Sequence, residues 1–472
     1  MPATGFPANV ARVAETAPTV GVTLAPGRRA VLEEWAWRLA PVLAGLGALL
    51  LNLFLLGRRS LRFEEAQAIA AAGGSWGDLW SAVRDNEAPH ALVDALLKGW
   101  IAFAGDGEWA LRVPAALAGA VAVALTGALG ARLFGRVAGL VAAGVLATNV
   151  AVLAWSQTAR SESFAVAAVV LATLALVAAL ERPTGWRFGL WAAAAALAVA
   201  VSLLALPVVV AHAVACAVAR PRADWRAPAA AAALVGAVAL AVALLVATAA
   251  AGTITGGLPD GRELGFEMWR LAGWSPVPIA LAAFGVFVLV TRRVEQAATW
   301  KTALLAAWLT APVATGLLLA LARSSFDTRY ALTATPALAL LAAAAVVSQH
   351  GRIELALVAL LGLGAAVSLS AWYAGPGDED WRGAVRAIQS GQQPGEAVIV
   401  VPARERVAAD YYAGAGYTVD RPHGHKVWLL LAEDGATRRL RLARRLVRPP
   451  HYALLAERRY GNGLWLQIWS EP

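Results

Sequence analysis

Residues 58–80 read "RRSLRFEEAQAIAAAGGSWGDLW" and directly follow the first long apolar run of the chain, residues 37–56. The stretch holds two adjacent glutamates, Glu64 and Glu65, with arginines before them and tryptophans after them. A run of about 18 or more apolar residues is long enough to cross a bilayer as a helix. The sequence therefore predicts a pair of carboxylates at the mouth of a first membrane span.

The composition extends this prediction to the whole chain. Of its 472 residues, 59% are hydrophobic and only 15% are charged, and the mean hydropathy is +0.60. We predict an all-α polytopic membrane protein with about 11 transmembrane helices. The run 187–219, broken only by Ser202 and Pro207, is compatible with one span or two. The expected spans are 37–56, 113–131, 137–155, 163–181, 187–203, 204–219, 227–249, 277–291, 302–321, 331–347 and 353–372.

The loops between these spans differ in charge. If the N-terminus is cytoplasmic, the inner loops are "ARLFGR", "ERPTGWR", "ARPRADWR", "TRRVEQAATWK" and "SQHGR", which are basic and nearly free of acidic residues. Short cytoplasmic loops are enriched in Lys and Arg. We therefore predict a multi-pass protein of the cell (plasma or inner) membrane, with residues 1–36 as a disordered cytoplasmic tail. The odd number of spans places the C-terminus on the extracytoplasmic side.

Two segments are too polar to span the membrane. Residues 57–112 interrupt the predicted transmembrane domain, residues 37–373, and residues 374–472 follow it. Residues 57–112 contain "SWGDLWSAV" and "ALVDALLKGWIAFAG", whose apolar residues recur at the spacing of helices that lie in the membrane interface. Residues 374–472 alternate β-type runs such as "EAVIVV" and "KVWLLL" with helical runs such as "RVAADYYAGAG". This alternation predicts a small extracytoplasmic α/β domain. Its basic run, Arg438–Arg448, is either a solvated helix face or a surface for anionic headgroups or polymer.

Several motifs, taken in order, resemble a known superfamily. They are "LRFEEAQAIA", "RDNEAPHALVDALLKGWIAFAGDGEWALRVPAALAG", "AWSQTARSESFAV", "DTRYALTATPALALL" and, in the C-terminal segment, "DWRGAVRAI" with "GEAVIVVP". Their order and spacing resemble the GT-C glycosyltransferases that use polyprenyl-phosphate sugar donors, including protein O-mannosyltransferases and aminoarabinose transferases. Two elements depart from that family. Glu64 stands where the family usually has Asp, and the Pro-Pro-Leu-Tyr element is represented only by Pro89, His90, Ala91 and Leu92.

The resemblance implies transfer of a sugar, with inversion, from a polyprenyl-phosphate donor to an extracytoplasmic acceptor hydroxyl on a lipid, polysaccharide or protein. Such an acceptor must lose its proton as it attacks, which a positioned carboxylate can accept. We assign Glu64 as this general base. Adjacent residues point in different directions, so Glu65 is expected to support catalysis by binding the acceptor or by polarising Glu64.

The leaving group of this reaction is an anionic phosphate ester, which arginine stabilises well. Arg160 and Arg329 lie at the expected outer ends of spans and match family elements, so we expect them to bind the donor phosphate. The alternative is that they only anchor their spans at the interface. Tyr330 is expected to add a hydrogen bond, and Glu162 to be the ion-pair partner of Arg160.

A third group of polar residues lies within the segment 57–112, between its two apolar helical runs. Asp85, Glu87 and His90 are expected to bind substrate. The alternative is that Glu87 and His90, three residues apart, bind a divalent metal ion. The sequence assigns no metal ligands and no certain cofactor. His212 lies within an expected span, where a neutral histidine bonded to a backbone carbonyl is the common case.

Other classes of function have less support in the sequence. No glycine-rich phosphate loop, nucleophile elbow or zinc-spaced Cys/His cluster is found, and the expected partners are the lipid-linked donor, membrane lipid and the acceptor, not nucleic acid. A polar-lipid transporter or flippase would place its charges near the bilayer midplane, whereas this chain collects its acids in outer loops. A noncatalytic partner in cell-envelope assembly is the third alternative.

Overall fold

The computed structural model describes residues 26–84, 90–219, 226–249, 260–291, 296–323, 326–375, 377, 379–432, 436–447 and 452–471. Residues 40–472 form one compact unit, so the membrane region and the C-terminal domain belong to the same body.

The helices before the C-terminal domain are α1 (Pro26–Leu53), α2 (Phe63–Gly73), α3 (Trp76–Ala82), α4 (Ala91–Ala104), α5 (Glu108–Phe134), α6 (Arg136–Ala147), α7 (Val150–Ser156), α8 (Glu162–Glu181), α9 (Gly185–Val201), α10 (Leu206–Ala219), α11 (Arg226–Ala249), α12 (Gly261–Leu271), α13 (Pro276–Thr291), α14 (Gln296–Arg323), α15 (Thr335–Val347) and α16 (Arg352–Ala374). The C-terminal domain contains α17 (Trp381–Gly391), β1 (Ala397–Val401), α18 (Arg406–Ala413), β2 (Lys426–Ala432), α19 (Ala436–Val447), β3 (Ala453–Tyr460) and β4 (Leu464–Ser470). Short 3₁₀ turns cover Leu203–Ala205, Thr328–Tyr330, Leu332–Ala334 and Ala403–Glu405.

Each of the expected spans contains a helix, and the run 187–219 is divided into α9 and α10 at Ser202. Within the described residues, 5 helices are long and apolar enough to cross a membrane, or up to 7 if each bent pair is one span. Four further apolar helices are 10–17 residues long. The chain is thus a multi-pass membrane protein, and the predicted number of crossings stays a prediction.

Two of the apolar segments are bent. The axes of α6 and α7 differ by 65°, and those of α12 and α13 by 74°. Asn149 explains the first bend, because its side-chain oxygen accepts hydrogen bonds from the backbone N–H groups of Ala151 and Val152 and so starts a new helix. The Asn149 amide also donates to the carbonyl of Leu271, which ties the two bends together.

Helix α15 lies at the centre of the bundle, where nearly all its residues are buried. It packs against α6, α13 and α14. The contact with α13 is close because Gly285 has no side chain: a Cβ there would clash with the carbonyl oxygen of Leu341. Small residues allow such close approach of helices in membranes, where packing rather than hydrophobicity drives association.

The segment between α1 and α5 forms short helices, as the sequence predicts. Large apolar side chains of α3 and α4 remain exposed, with Trp76 at 65% and Phe103 at 84%. Such a face is typical of helices that lie in the membrane interface.

The C-terminal domain is an α/β module, in agreement with the sequence prediction. Its four strands have the order β1-β2-β4-β3, with β1 and β2 parallel and the other pairs antiparallel. Successive residues of a strand point to opposite faces. Val398 and Val400 therefore pack against α17 and α18 on one face, while Ala397 and Ile399 pack against α19 on the other.

Two sequence expectations differ from the structure. Helix α1 begins at Pro26, inside the segment 1–36 that was expected to be disordered. Proline fits the first turn of a helix, and the good helix formers Arg28, Arg29 and Ala30 follow Gly27. Residues 1–25 lie outside the described part. The buried His212 ring bonds two side chains rather than a backbone carbonyl. Its Nδ1 accepts from Trp191 at 3.1 Å and its Nε2 lies 2.9 Å from the hydroxyl of Thr173.

Candidate active site

Helix α2 is fixed to the membrane region by Glu65, whose carboxylate is fully buried. Arg112 donates two parallel hydrogen bonds to it, from Nε at 2.8 Å and from Nη2 at 2.7 Å. The backbone N–H groups of Arg62 and Ala159 donate to the same carboxylate at 2.9 and 2.8 Å. Sequence reasoning expected Glu65 to bind the acceptor or polarise Glu64. Instead it ties α2 to α5 and to the loop after α7.

Helix α2 also packs against the C-terminal domain. Ala66 is buried in the hydrophobic core that α17, α18 and the sheet form. Just before α2, the hydroxyl of Ser60 donates to the carbonyl of Glu379, and the N–H of Leu61 donates to the hydroxyl of Tyr412 at 2.7 Å. The helix that carries the glutamate pair is thus held between both parts of the protein.

Glu64 is one residue earlier in α2 and has a different environment. Its side chain is 28% exposed, and its Oε1 lies 3.8 Å from Nη1 of Arg329. Burial disfavours the charged form, but the guanidinium charges of Arg62 and Arg329 outweigh it and hold the pKa of Glu64 below its ordinary value. Glu64 is therefore an ionised carboxylate at neutral pH, with part of its surface open to a substrate.

Arg329 lies on the 3₁₀ turn Thr328–Tyr330, and its side chain is 22% exposed. Its Nε lies 3.1 Å from a carboxylate oxygen of Asp327, which also caps the turn by accepting from the N–H of Arg329. Burial alone would lower the pKa of Arg329, but the carboxylates of Asp327, Glu162 and Glu64 raise it above its ordinary value. A permanent, partly exposed positive charge therefore lies beside Glu64.

Arg160, Glu162 and His90 lie near Arg329, because the charge of Arg160 acts on Glu162 and His90 together with that of Arg329. Arg160 is buried and its Nη1 donates to the backbone carbonyl of Glu64 at 3.3 Å. Glu162 is buried at the start of α8, where one carboxylate oxygen has no hydrogen-bond partner in the described chain. His90 Nδ1 lies 2.7 Å from the hydroxyl of Ser161. Burial, with the charges of Arg160 and Arg329, lowers the pKa of His90 well below its ordinary value, so its ring is neutral.

One arginine at this site was missed by sequence reasoning. Arg270 of α12 is buried, and its Nε and Nη2 have no hydrogen-bond partner among the residues that the structure describes. Its Nη1 lies 3.8 Å from Glu267, which accepts from the backbone N–H of Thr328. Helix α12 therefore contacts the turn that carries Arg329. A small cavity between Arg62, Arg270 and Trp372 lies beside Glu65.

The remaining predicted residues are placed as follows. Tyr330 is buried, packs edge to face on Phe326, and lies under the guanidinium of Arg329 at 5.7 Å. Asp85 and Glu87 lie outside the described residues. In the part of the chain that is described, no group of three or more His, Cys, Asp or Glu side chains is arranged to hold a metal.

An apolar cavity of about 300 Å³ opens beside both helix bends. Its walls come from α6, from the turn between α12 and α13, and from α16, with Asn149 and Ser368 among its few polar residues. A cavity of this lining suits hydrocarbon rather than a sugar.

Comparison with known proteins identifies two kinds of similarity. A family model described as "Dolichyl-phosphate-mannose-protein mannosyltransferase" matches residues 89–248, about a third of the chain. Two crystal structures of ArnT from Cupriavidus metallidurans are similar in fold. The structure bound to undecaprenyl phosphate has a TM-score of 0.58 and 13% identity, over 91% of this chain and 97% of that one. The apo structure has a TM-score of 0.58 and 14% identity, over 93% and 98%. No curated protein sequence matches.

The sequence resemblance to the GT-C superfamily is confirmed by these findings. The matched region includes His90, Arg160 and Glu162 but neither the glutamate pair nor Arg329. At this identity the structural match establishes the fold, so the roles of individual residues rest on the geometry above.

Proposed function

We propose that the protein is a membrane glycosyltransferase that moves a sugar from a polyprenyl-phosphate donor to an acceptor hydroxyl on the extracytoplasmic side. The observation that carries the proposal is the ionised, partly exposed Glu64 carboxylate beside Arg329. This pair lies in a fold shared with a protein that binds undecaprenyl phosphate. A base beside a phosphate-binding cation is what this transfer requires.

The proposed step is a single displacement at the anomeric carbon. The acceptor oxygen forms a bond to that carbon, and the bond from the carbon to the phosphate oxygen breaks, with its electron pair leaving on the polyprenyl phosphate. Glu64 accepts the proton of the acceptor hydroxyl. Attack opposite the leaving group inverts the anomeric configuration. The low pKa of Glu64 keeps it ready to accept a proton at neutral pH.

The leaving phosphate needs positive charge that is already in place. The side chain of Arg329 is partly exposed, whereas Arg160 is buried and bonds the Glu64 backbone. We assign the direct phosphate contact to Arg329 and the alignment of Glu64 to Arg160. Arg270, with unpaired nitrogens in the described structure, is a further candidate for the phosphate. The apolar cavity between α6 and α16 offers hydrocarbon surface to the prenyl chain.

A radiolabelled polyprenyl-phosphate sugar in liposomes tests this function. We expect label to move from lipid to acceptor with the purified wild-type protein. Movement of intact lipid across the bilayer without transfer of label would instead support a flippase. Neither transfer nor movement, with folded protein and a panel of donors, would support a noncatalytic assembly partner.

A further inference from the structure

The C-terminal domain brings a third acidic residue close to the glutamate pair. The 3₁₀ turn Ala403–Glu405 follows β1 and lies against the start of α2. The guanidinium of Arg404 is 5.8 Å from the ring centroid of Phe63, the first residue of α2. Helix α18 begins directly after this turn and packs against α2. Glu405 is therefore held at the contact between the C-terminal domain and the helix that carries Glu64.

The Glu405 carboxyl is buried at the start of α18. The residue is 7% exposed and is the N-cap of this helix, but its side chain accepts no hydrogen bond from the first backbone N–H groups. One carboxyl oxygen, Oε2, is buried without a hydrogen-bond partner in the described residues, and the other lies 3.9 Å from Arg404.

The charges around Glu405 favour its neutral form. Arg404 is the cation beside it, but the side chain of Arg404 is 75% exposed. Two carboxylates, Glu379 and Glu64, oppose the ionisation of the group. Burial, reinforced by Glu379, raises the pKa of Glu405 to about 8. Glu405 thus carries a proton at neutral pH, and it loses that proton under mildly alkaline conditions.

We propose that Glu405 is a positioning residue of the transfer site, whose neutral carboxyl keeps the C-terminal domain seated on α2 and so keeps Glu64 beside Arg329. This inference rests on the proposed function. When Glu405 ionises, its charge is added to those of Glu64 and Glu379 within a buried contact. Like charges at such a contact repel, so the turn and α2 separate and the base loses its alignment.

The test is the pH dependence of sugar transfer in the full-length protein. A group with a pKa of about 8 is about 90% neutral at pH 7 and about 10% neutral at pH 9. Wild-type kcat should therefore fall about ten-fold over this range. Glu405→Gln copies the neutral form, so its kcat should be nearly flat. Arg404→Ala removes the cation that favours ionisation, so its decline should move to higher pH. Glu471→Gln and Arg421→Ala, exposed residues of the same domain, should follow the wild type.

The outcomes separate this inference from the proposed function. An equal decline in wild type and Glu405→Gln, with wild type active, overturns the role of Glu405 alone. If Glu405→Gln does not fold, an unmoved decline in Arg404→Ala overturns it. If the wild-type protein transfers no sugar, the melting temperature tests the role of Glu405 instead. A raised pKa means that stability is highest below the ordinary pKa of glutamate and is lost as pH rises through about 8. The gain in melting temperature of Glu405→Gln over wild type should grow across that window. A constant difference would overturn the proposal that neutral Glu405 holds the C-terminal domain against α2.

Discussion

The substitution Glu65→Gln tests how α2 is held. Glu65 and Arg112 are both buried, and the glutamate accepts four hydrogen bonds. Glutamine removes the negative charge and presents an NH₂ group to donors that need an acceptor. The guanidinium of Arg112 then remains buried without its counter-charge. Breaking a buried ion pair from one side costs about 3–5 kcal/mol, and we expect a loss of unfolding free energy of that size.

A matched pair at the surface provides the control. Arg132 and Glu181 lie at the same distance, 2.7 Å, but their side chains are 36% and 34% exposed. Exposed pairs contribute about 0–1 kcal/mol, so Glu181→Gln should unfold nearly as the wild type does. The assay is reversible unfolding in mixed detergent micelles, followed by tryptophan fluorescence. The double variant Glu65→Leu/Arg112→Met leaves no unpaired charge, but it removes the partners of the backbone N–H groups of Arg62 and Ala159 and of the three carbonyls that Arg112 bonds. It should therefore recover only part of the loss. If Glu65→Gln and Glu181→Gln behave alike, burial does not make this pair the anchor of α2.

Two further predictions concern the donor and the topology. Arg329→Ala should weaken donor use strongly with little change in folding, and Arg329→Lys should rescue it only in part because lysine lacks the bidentate fork; an unaltered donor KM and kcat in the alanine variant would make Arg329 a structural residue. Arg160→Ala should lower kcat more than it changes donor KM, because Arg160 bonds the backbone of Glu64. Cys216 is the single cysteine of the chain. In a Cys216→Ala background, a membrane-impermeant maleimide should label Asp420→Cys on intact cells and label Arg182→Cys only after the cells are opened. The reverse pattern would overturn the predicted orientation.

The sequence predicts the helices well because few backbone conformations are stable within a bilayer. Apolar runs must satisfy their backbone groups internally, so each expected span contains a helix. The bend at Asn149 was not predicted, because the run 137–155 is apolar on both sides of it and hydropathy does not report caps. The α/β domain was predicted because short β-type runs alternate with helical runs. The apolar strands agree with a sheet that is buried on both faces.

The structure brings Glu64, Arg160 and Arg329, which the sequence singles out, close together, and their roles stay predictions. Glu64 and Glu65 are equivalent in a linear sequence, and only the position of Arg112 decides which one is buried. Arg112 stands in the quoted motif "ALRVPAALAG", but its partner 47 residues earlier cannot be read from spacing. Arg270 and Glu405 reach the site through long-range packing, for which the sequence offers no local signal.

The turnover of Glu64→Gln tests the central claim most directly. The change keeps the size and polarity of the side chain but removes its ability to accept a proton, and general-base assistance is typically worth about 10²- to 10⁴-fold in rate. The measurement is kcat at saturating donor and acceptor in liposomes, with donor binding and melting temperature measured on the same sample. We predict a loss of kcat in that range with donor binding retained, and measurable activity in Glu64→Asp, which keeps a carboxylate. A folded Glu64→Gln protein that turns over at the wild-type rate would contradict the assignment of Glu64 as the base.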